Sequence, residues 1–118
     1  MIKHKLVLAL SLVLFASCTS IVYAKDNIIT ATWYQEGKKT ANGEKFDPEG
    51  LTAASRTLPF GTILKLTNIL TNDTAIVRIN DRGPFVKGRS LDVSRGAARA
   101  LGFLLNGTAK LKLEIIKE

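Results

Sequence analysis

The chain has 118 residues, 46% of them apolar, with 17 Lys plus Arg against 10 Asp plus Glu and a formal charge of +7. Its one histidine, His4, and one cysteine, Cys18, both fall in an N-terminal stretch laid out like an export signal, so the processed chain would have neither imidazole nor free thiol. That argues against Ser-His-Asp and Cys-His nucleophilic sites and against His or Cys metal sites, and it leaves carboxylates to carry any proton transfer.

Lys3 and Lys5 give the N-terminus a basic start, Leu6 to Phe15 form an apolar run too short to span a bilayer, and small residues follow. Residues 1–24 are expected to be a signal peptide. Two routes of processing stay open. Val22-Tyr23-Ala24 offers a signal-peptidase cut after Ala24. Ala16-Ser17-Cys18 offers a lipoprotein cut that leaves Cys18 for acylation and an outer-membrane lipid anchor, although Phe15 fits poorly where an aliphatic residue is expected. The expected location is the periplasm or cell envelope. Residues 25–118 are expected to form one small domain without a disulfide. Their basic surplus suits either an ordinary soluble surface or an anionic partner outside the cytoplasm, such as the cell wall or a phospholipid surface. No nucleic acid partner is expected, because export removes the chain from it and no basic helix with interleaved aromatics occurs.

The punctuation of the mature chain is dense and its apolar runs are short, the pattern of strands joined by turns. Ile28 to Tyr34, rich in β-branched and aromatic residues, reads as a first strand. Gln35 to Pro48 is a polar loop long enough to suggest function. Leu51 to Ser55 reads as a short helical turn, ended by Leu58-Pro59-Phe60-Gly61. Thr62 to Asn68 and Thr74 to Asn80 read as strands joined by a turn at Asn72-Asp73; in the second, Ala75, Val77 and Ile79 make one face wholly apolar. Ser90 to Val93 is extended and leads into a helix with Ser94 as N-cap, an alanine-rich stripe and Gly102 as its stop. After Asn106-Gly107, Leu111, Leu113 and Ile115 alternate with Lys110, Lys112 and Glu114 as a last half-buried strand. Five or six strands with one helix favour a small closed barrel, which leaves no edge to aggregate.

Asp81 ends a strand inside Asn80-Asp81-Arg82-Gly83-Pro84. It is either a turn residue bonding its own backbone or a carboxylate presented at a cleft with Arg82 and Arg89 nearby. Asp92, between Leu91 and Val93, points opposite to them by alternation and is either a buried hydrogen-bonder or a second cleft acid. Trp33-Tyr34 suits either the core or the stacking of sugar rings. Thr40-Ala41-Asn42-Gly43-Glu44 reads on its own as a turn.

Taken in order, Ala31-Thr32-Trp33-Tyr34, Thr40 to Asp47, Leu51-Thr52-Ala53-Ala54, Leu58 to Thr62, Asn80 to Phe85 and Gly88 to Ser94 closely resemble the rare lipoprotein A family over residues 30–116. The resemblance implies a six-stranded double-psi β-barrel, mainly β with one short α-helix, related to the first domain of expansins and to the barrel of membrane-bound lytic transglycosylase A. It implies a lytic transglycosylase that cuts peptidoglycan glycan strands without a cofactor or metal. The residues proposed for catalysis in the family fall on Glu44, Ser55 and Asp81, and Asp92 matches the acidic residue shared with expansins. Trp33, Tyr34, Asn42, Arg82, Arg89 and Asp92 are the candidate substrate-binding residues.

Ser55 departs from the histidine common in the family at that position. A hydroxyl can bond a sugar or orient a carboxylate, but it cannot shuttle a proton near neutral pH as imidazole does. Either the histidine is dispensable or activity is weakened, and a non-catalytic wall-binding or expansin-like loosening protein is the alternative. Because the sequence ends soon after the last expected strand, the C-terminal repeat-type domain of some relatives, with its septal targeting, is not expected.

Overall fold

The computed structural model describes residues 27–118; the expected signal peptide, with His4 and Cys18, lies outside the described residues. Six strands close into a barrel. Among the described residues they are β1 (Ile28–Tyr34), β2 (Thr52–Ala54), β3 (Ile63–Asn68), β4 (Thr74–Asp81), β5 (Leu91–Ser94) and β6 (Thr108–Lys117), with one helix, α1 (Arg95–Ala100), between the last two. Around the barrel the order is β1-β5-β2-β4-β3-β6. The β1–β5 and β2–β4 pairs are parallel and the other four are antiparallel. This closed, mixed, mainly β architecture with one short helix is the one the family resemblance leads one to expect.

The β1 strand has the predicted bounds, and β3, β4 and β5 lie within a residue of theirs. One expectation is corrected: Leu51 to Ser55 is not a helical turn but contains β2. Thr52 and Ala53 pair with Arg78 and Ile79 of β4, while Ala53 and Ala54 pair with Val93 and Asp92 of β5. Three residues cannot display an alternation of their own, and two long-range neighbours override the helical preference of Ala53-Ala54.

Alternation fills the barrel with Ala31, Ala53, Leu64, Leu66, Val77, Ile79, Leu91, Val93 and Leu111, all buried. These small and branched residues pack together as one core cluster. The apolar face of β4 is the predicted one, Ala75, Val77 and Ile79. In β6 the predicted alternation fades along the strand: Leu111 is buried, Leu113 half-buried and Ile115 exposed.

Helix α1 begins where Ser94 Oγ accepts from the Ala97 amide (3.2 Å) and also donates to the Gly50 carbonyl (2.5 Å). The helix lays Ala97 and Ala98 on the core, and the chain leaves it through Gly102, whose φ of 76° favours glycine. Leu101 and Phe103 follow into the same core. A Cβ on Gly96 would stand 2.4 Å from the Glu49 carbonyl oxygen, so the helix and the 47–50 segment touch backbone to backbone.

Candidate functional site

The short β2 strand organises the site. Ala54 is paired with Asp81 at the end of β4 on one side and with Asp92 of β5 on the other. With neighbouring strands about 4.8 Å apart, the two acids stand roughly 10 Å apart at their Cα atoms. On the far side of β5, Thr32 of β1 lies in register with Asp92, and Tyr34 lies two residues further along β1. A cleft of about 350 Å³ opens over these strand ends, lined by Tyr34, Asp81, Arg82, Phe85, Arg89 and Asp92 among others.

Asp81 accepts three hydrogen bonds. The Ala41 and Arg82 amides donate to Oδ1 (2.8 and 2.9 Å), and the Tyr34 hydroxyl donates to Oδ2 (3.2 Å). Oδ1 is thereby fixed by backbone, and Oδ2 meets only a rotatable hydroxyl. The Tyr34 ring stacks on Phe46 with centroids 4.7 Å apart and planes within 10°. Burial, followed by the charge of Asp81, its hydrogen bond and the charge of Asp92, pushes the Tyr34 phenol well above its ordinary range. It therefore stays protonated and can always donate.

Asp92 accepts from the Thr32 hydroxyl, which in turn accepts from Arg89 Nε and Nη2 (3.2 and 2.9 Å). Arg89 Nη2 also lies 3.7 Å from Asp92 Oδ1. The strand alternation holds: Leu91 and Val93 enter the core and Asp92 faces the cleft. Arg82 spends its guanidinium inside the protein. It donates to the Ser55 and Leu58 carbonyls (3.1 and 2.9 Å) and lies 3.8 Å over the Phe60 ring centroid, clamping the segment after β2.

The polar loop from Gln35 to Pro48 is ordered as a small hairpin. Thr40 and Phe46 donate through their amides to the Glu44 and Lys38 carbonyls, and Gly43 turns the tip at φ 92°. That tip rests on the end of β4, with the Asn42 amide on the Asn80 carbonyl (3.2 Å) and the Ala41 amide on Asp81. The Asn42 side chain is taken up locally, accepting from Thr40 Oγ1 (2.5 Å) and donating to Glu44 Oε1 (2.8 Å). Glu44 itself forms a two-pronged pair with Arg78 of β4 (2.6 and 2.8 Å). Arg78 first, then Asn42, hold its carboxyl down at about 2, so Glu44 is a fixed anion near neutral pH.

The sequence candidates therefore divide. Tyr34, Asp81, Arg82, Arg89 and Asp92 line one cleft. Glu44 and Asn42 belong to the hairpin that props Asp81, and neither lines it. The buried Ser55 hydroxyl accepts from the Thr57 and Leu58 amides (3.3 and 3.1 Å) and so caps a turn. Trp33 faces the core, where its indole donates to the Leu104 carbonyl (3.1 Å). Glu36, Phe85 and Val86 also line the cleft and escaped sequence reasoning as functional candidates; Phe85 and Val86 are 80% and 51% exposed. The available signal was an aromatic in a glycine- and proline-rich turn, where no alternation leads it to the core.

Comparison with known proteins agrees with this architecture. Over 90 residues the chain is 51% identical to the "probable endolytic peptidoglycan transglycosylase RlpA" of Synechocystis, covering 74% of this chain and 28% of that protein. Over 89 residues it is 51% identical to the "endolytic peptidoglycan transglycosylase RlpA" of Campylobacter jejuni, covering 73% of this chain and 32% of that one. The chain thus spans about a third or less of these relatives. A solved expansin of Clavibacter michiganensis superposes with a TM-score of 0.63 at 20% identity, over 78% of this chain and half of that one, a likeness of fold alone. The family described as "lytic transglycolase", with its double-psi β-barrel, matches residues 27–113, from β1 through the first part of β6, and the chain belongs to that rare lipoprotein A family.

Proposed function

We propose that the chain is a lytic transglycosylase acting on peptidoglycan glycan strands in the cell envelope. The observation that carries this reading is the unequal pair of oxygens on Asp81. Asp81 lines the cleft; its Oδ1 is saturated by two backbone amides, while its Oδ2 meets a hydroxyl that can turn from donor to acceptor. Such a carboxyl group can hold and release a proton at one defined atom.

Protonated Asp81 donates to the glycosidic oxygen between N-acetylmuramic acid and N-acetylglucosamine, and the bond to the muramic C1 breaks with oxocarbenium character. The carboxylate then takes the proton from the muramic C6 hydroxyl, whose oxygen attacks C1 and closes a 1,6-anhydro ring. No water enters and the acid ends as it began, so the two-carboxylate spacing of a hydrolase is not needed. Asp92 stands across Ala54 and presents its side chain to the same cleft, where a carboxyl group suits the developing positive charge. Arg89, on the cleft wall, suits the lactyl or peptide carboxylates of the substrate. Glu44 acts through the hairpin, and the Ser55 hydroxyl serves its turn. Export with an anchor at Cys18 or a cut after Ala24 belongs to the same proposal, and the mass of the mature N-terminus distinguishes the two.

Digesting glycan strands stripped of peptides and searching by mass spectrometry for anhydromuramic ends tests the reaction. Their absence, with peptide-bearing strands also intact, would refute it. A second reading, a non-catalytic wall-binding protein, is favoured by one observation: Ser55 and Glu44 are both committed to internal bonds. Tight pelleting with insoluble peptidoglycan without released fragments would support that reading instead.

A further inference from the structure

Phe85 presents the least explained surface near the site. It is 80% exposed, with Val86 beside it 51% exposed, although burying such a ring is worth about 2 kcal/mol. The loop does not leave it outside for want of order. Arg56 Nη1 donates to the Pro84 carbonyl (3.2 Å), the Arg89 amide donates to the Val86 carbonyl (3.2 Å), and a Cβ on Gly83 would lie 3.6 Å from the Phe85 ring. The ring thus lies against a residue without a side chain, on a loop tied at both ends. Leu70 and Leu105 are as exposed, at 84% and 99%, but neither lines the cleft. Phe85 and Val86 line it together with Asp81, Asp92 and Arg89.

We infer that Phe85 and Val86 form a sugar-binding platform continuous with the cleft, on which the apolar face of a pyranose ring of the glycan strand stacks. The inference rests on the glycan reading of the site and adds to it the subsite that holds the strand. A pyranose offers a face of C–H groups that suits the negative face of an aromatic ring, and covering Phe85 returns to the bound state the apolar burial that folding leaves unused. Arg89, on the same cleft wall, meets the carboxylates that an uncharged polysaccharide would lack. An aromatic floor with a guanidinium beside it therefore fits an acidic amino-sugar strand better than a neutral glucan.

Co-sedimentation of the full chain with purified peptidoglycan sacculi, at raised salt to screen the basic surface, tests this. Phe85→Ala should weaken binding about tenfold with an unchanged melting temperature, and Phe85→Trp should hold it or tighten it. Leu105→Ala should bind as the unsubstituted protein does. Equal pelleting of Phe85→Ala and the unsubstituted protein, an equal loss in Leu105→Ala, or no pelleting of any form would overturn the platform. Counting anhydromuramic ends in the same tubes separates the two readings. Phe85-dependent pelleting without such ends upholds the platform while refuting the lyase, and ends released with Phe85-independent pelleting do the reverse.

Discussion

Gly96→Ala sets two physical effects against each other. Helix propensity favours alanine by at most about 1 kcal/mol. Packing opposes it, because the added methyl would meet the Glu49 carbonyl oxygen at 2.4 Å and its carbon at 2.8 Å, both backbone atoms that cannot rotate aside. Relief requires the 47–50 segment and α1 to separate. That strains the bond from the Gly96 amide to the Pro48 carbonyl (2.8 Å) and the one from Ser94 Oγ to the Gly50 carbonyl (2.5 Å). Overpacking against fixed backbone, with the strained bonds included, costs about 3 kcal/mol, and the gain in propensity offsets about 1, so the net is a destabilisation of about 2 kcal/mol. For a domain of this size that lowers the melting temperature by roughly 10 °C. The effect should reach the site, because the moved segment continues into Phe46, which supports Tyr34 and through it Asp81. Calorimetry or urea unfolding gives the stability. A Gly96→Ala protein as stable as the parent, or more so, would refute the close approach and the chain of support built on it.

Tyr34→Phe removes only the hydroxyl on Asp81 Oδ2, and we predict turnover down about tenfold with KM little changed, read from steady-state release of anhydromuramic ends. Ser55→Ala should cost about 1 kcal/mol in urea unfolding, because two amides lose their acceptor, yet leave turnover within twofold. Acid stability should carry the mark of Glu44: its folded pKa, about 2, lies below its ordinary 4.5, so its contribution is present above about pH 4.5 and lost as pH falls toward 2. The pair with Arg78 is about 40% exposed, so solvent screening reduces that contribution to about 1 kcal/mol, and Arg78→Gln should remove it from the acid-unfolding curve.

Much of the barrel was legible because its longer strands obey alternation and its helix begins at a serine that caps it. The same rule places Asp92 opposite Leu91 and Val93, as the structure does. The same rule applied to β1 would have sent Trp33 inward with Ala31 and Tyr34 outward with Thr32, as the structure does. The aromatic pair hid this by reading as a unit. The β2 strand was lost because three residues hold no period and its two partners lie 26 to 40 positions away in sequence. The Glu44–Arg78 pair joins a loop to a strand across 34 positions, and nothing local announces it. The resemblance identified Glu44 and Ser55 as site residues, but side-chain commitments of this kind belong to tertiary packing.

In the proposed reaction Asp81 moves the proton. Asp81→Asn preserves shape and keeps an acceptor oxygen for the Ala41 and Arg82 amides, while removing the exchangeable carboxyl proton. The decisive measurement is the rate of anhydromuramic-end formation by this variant on peptide-free glycan strands at matched binding. We predict a fall of about a thousandfold or more. A variant that forms those ends at the rate of the unsubstituted protein would contradict it.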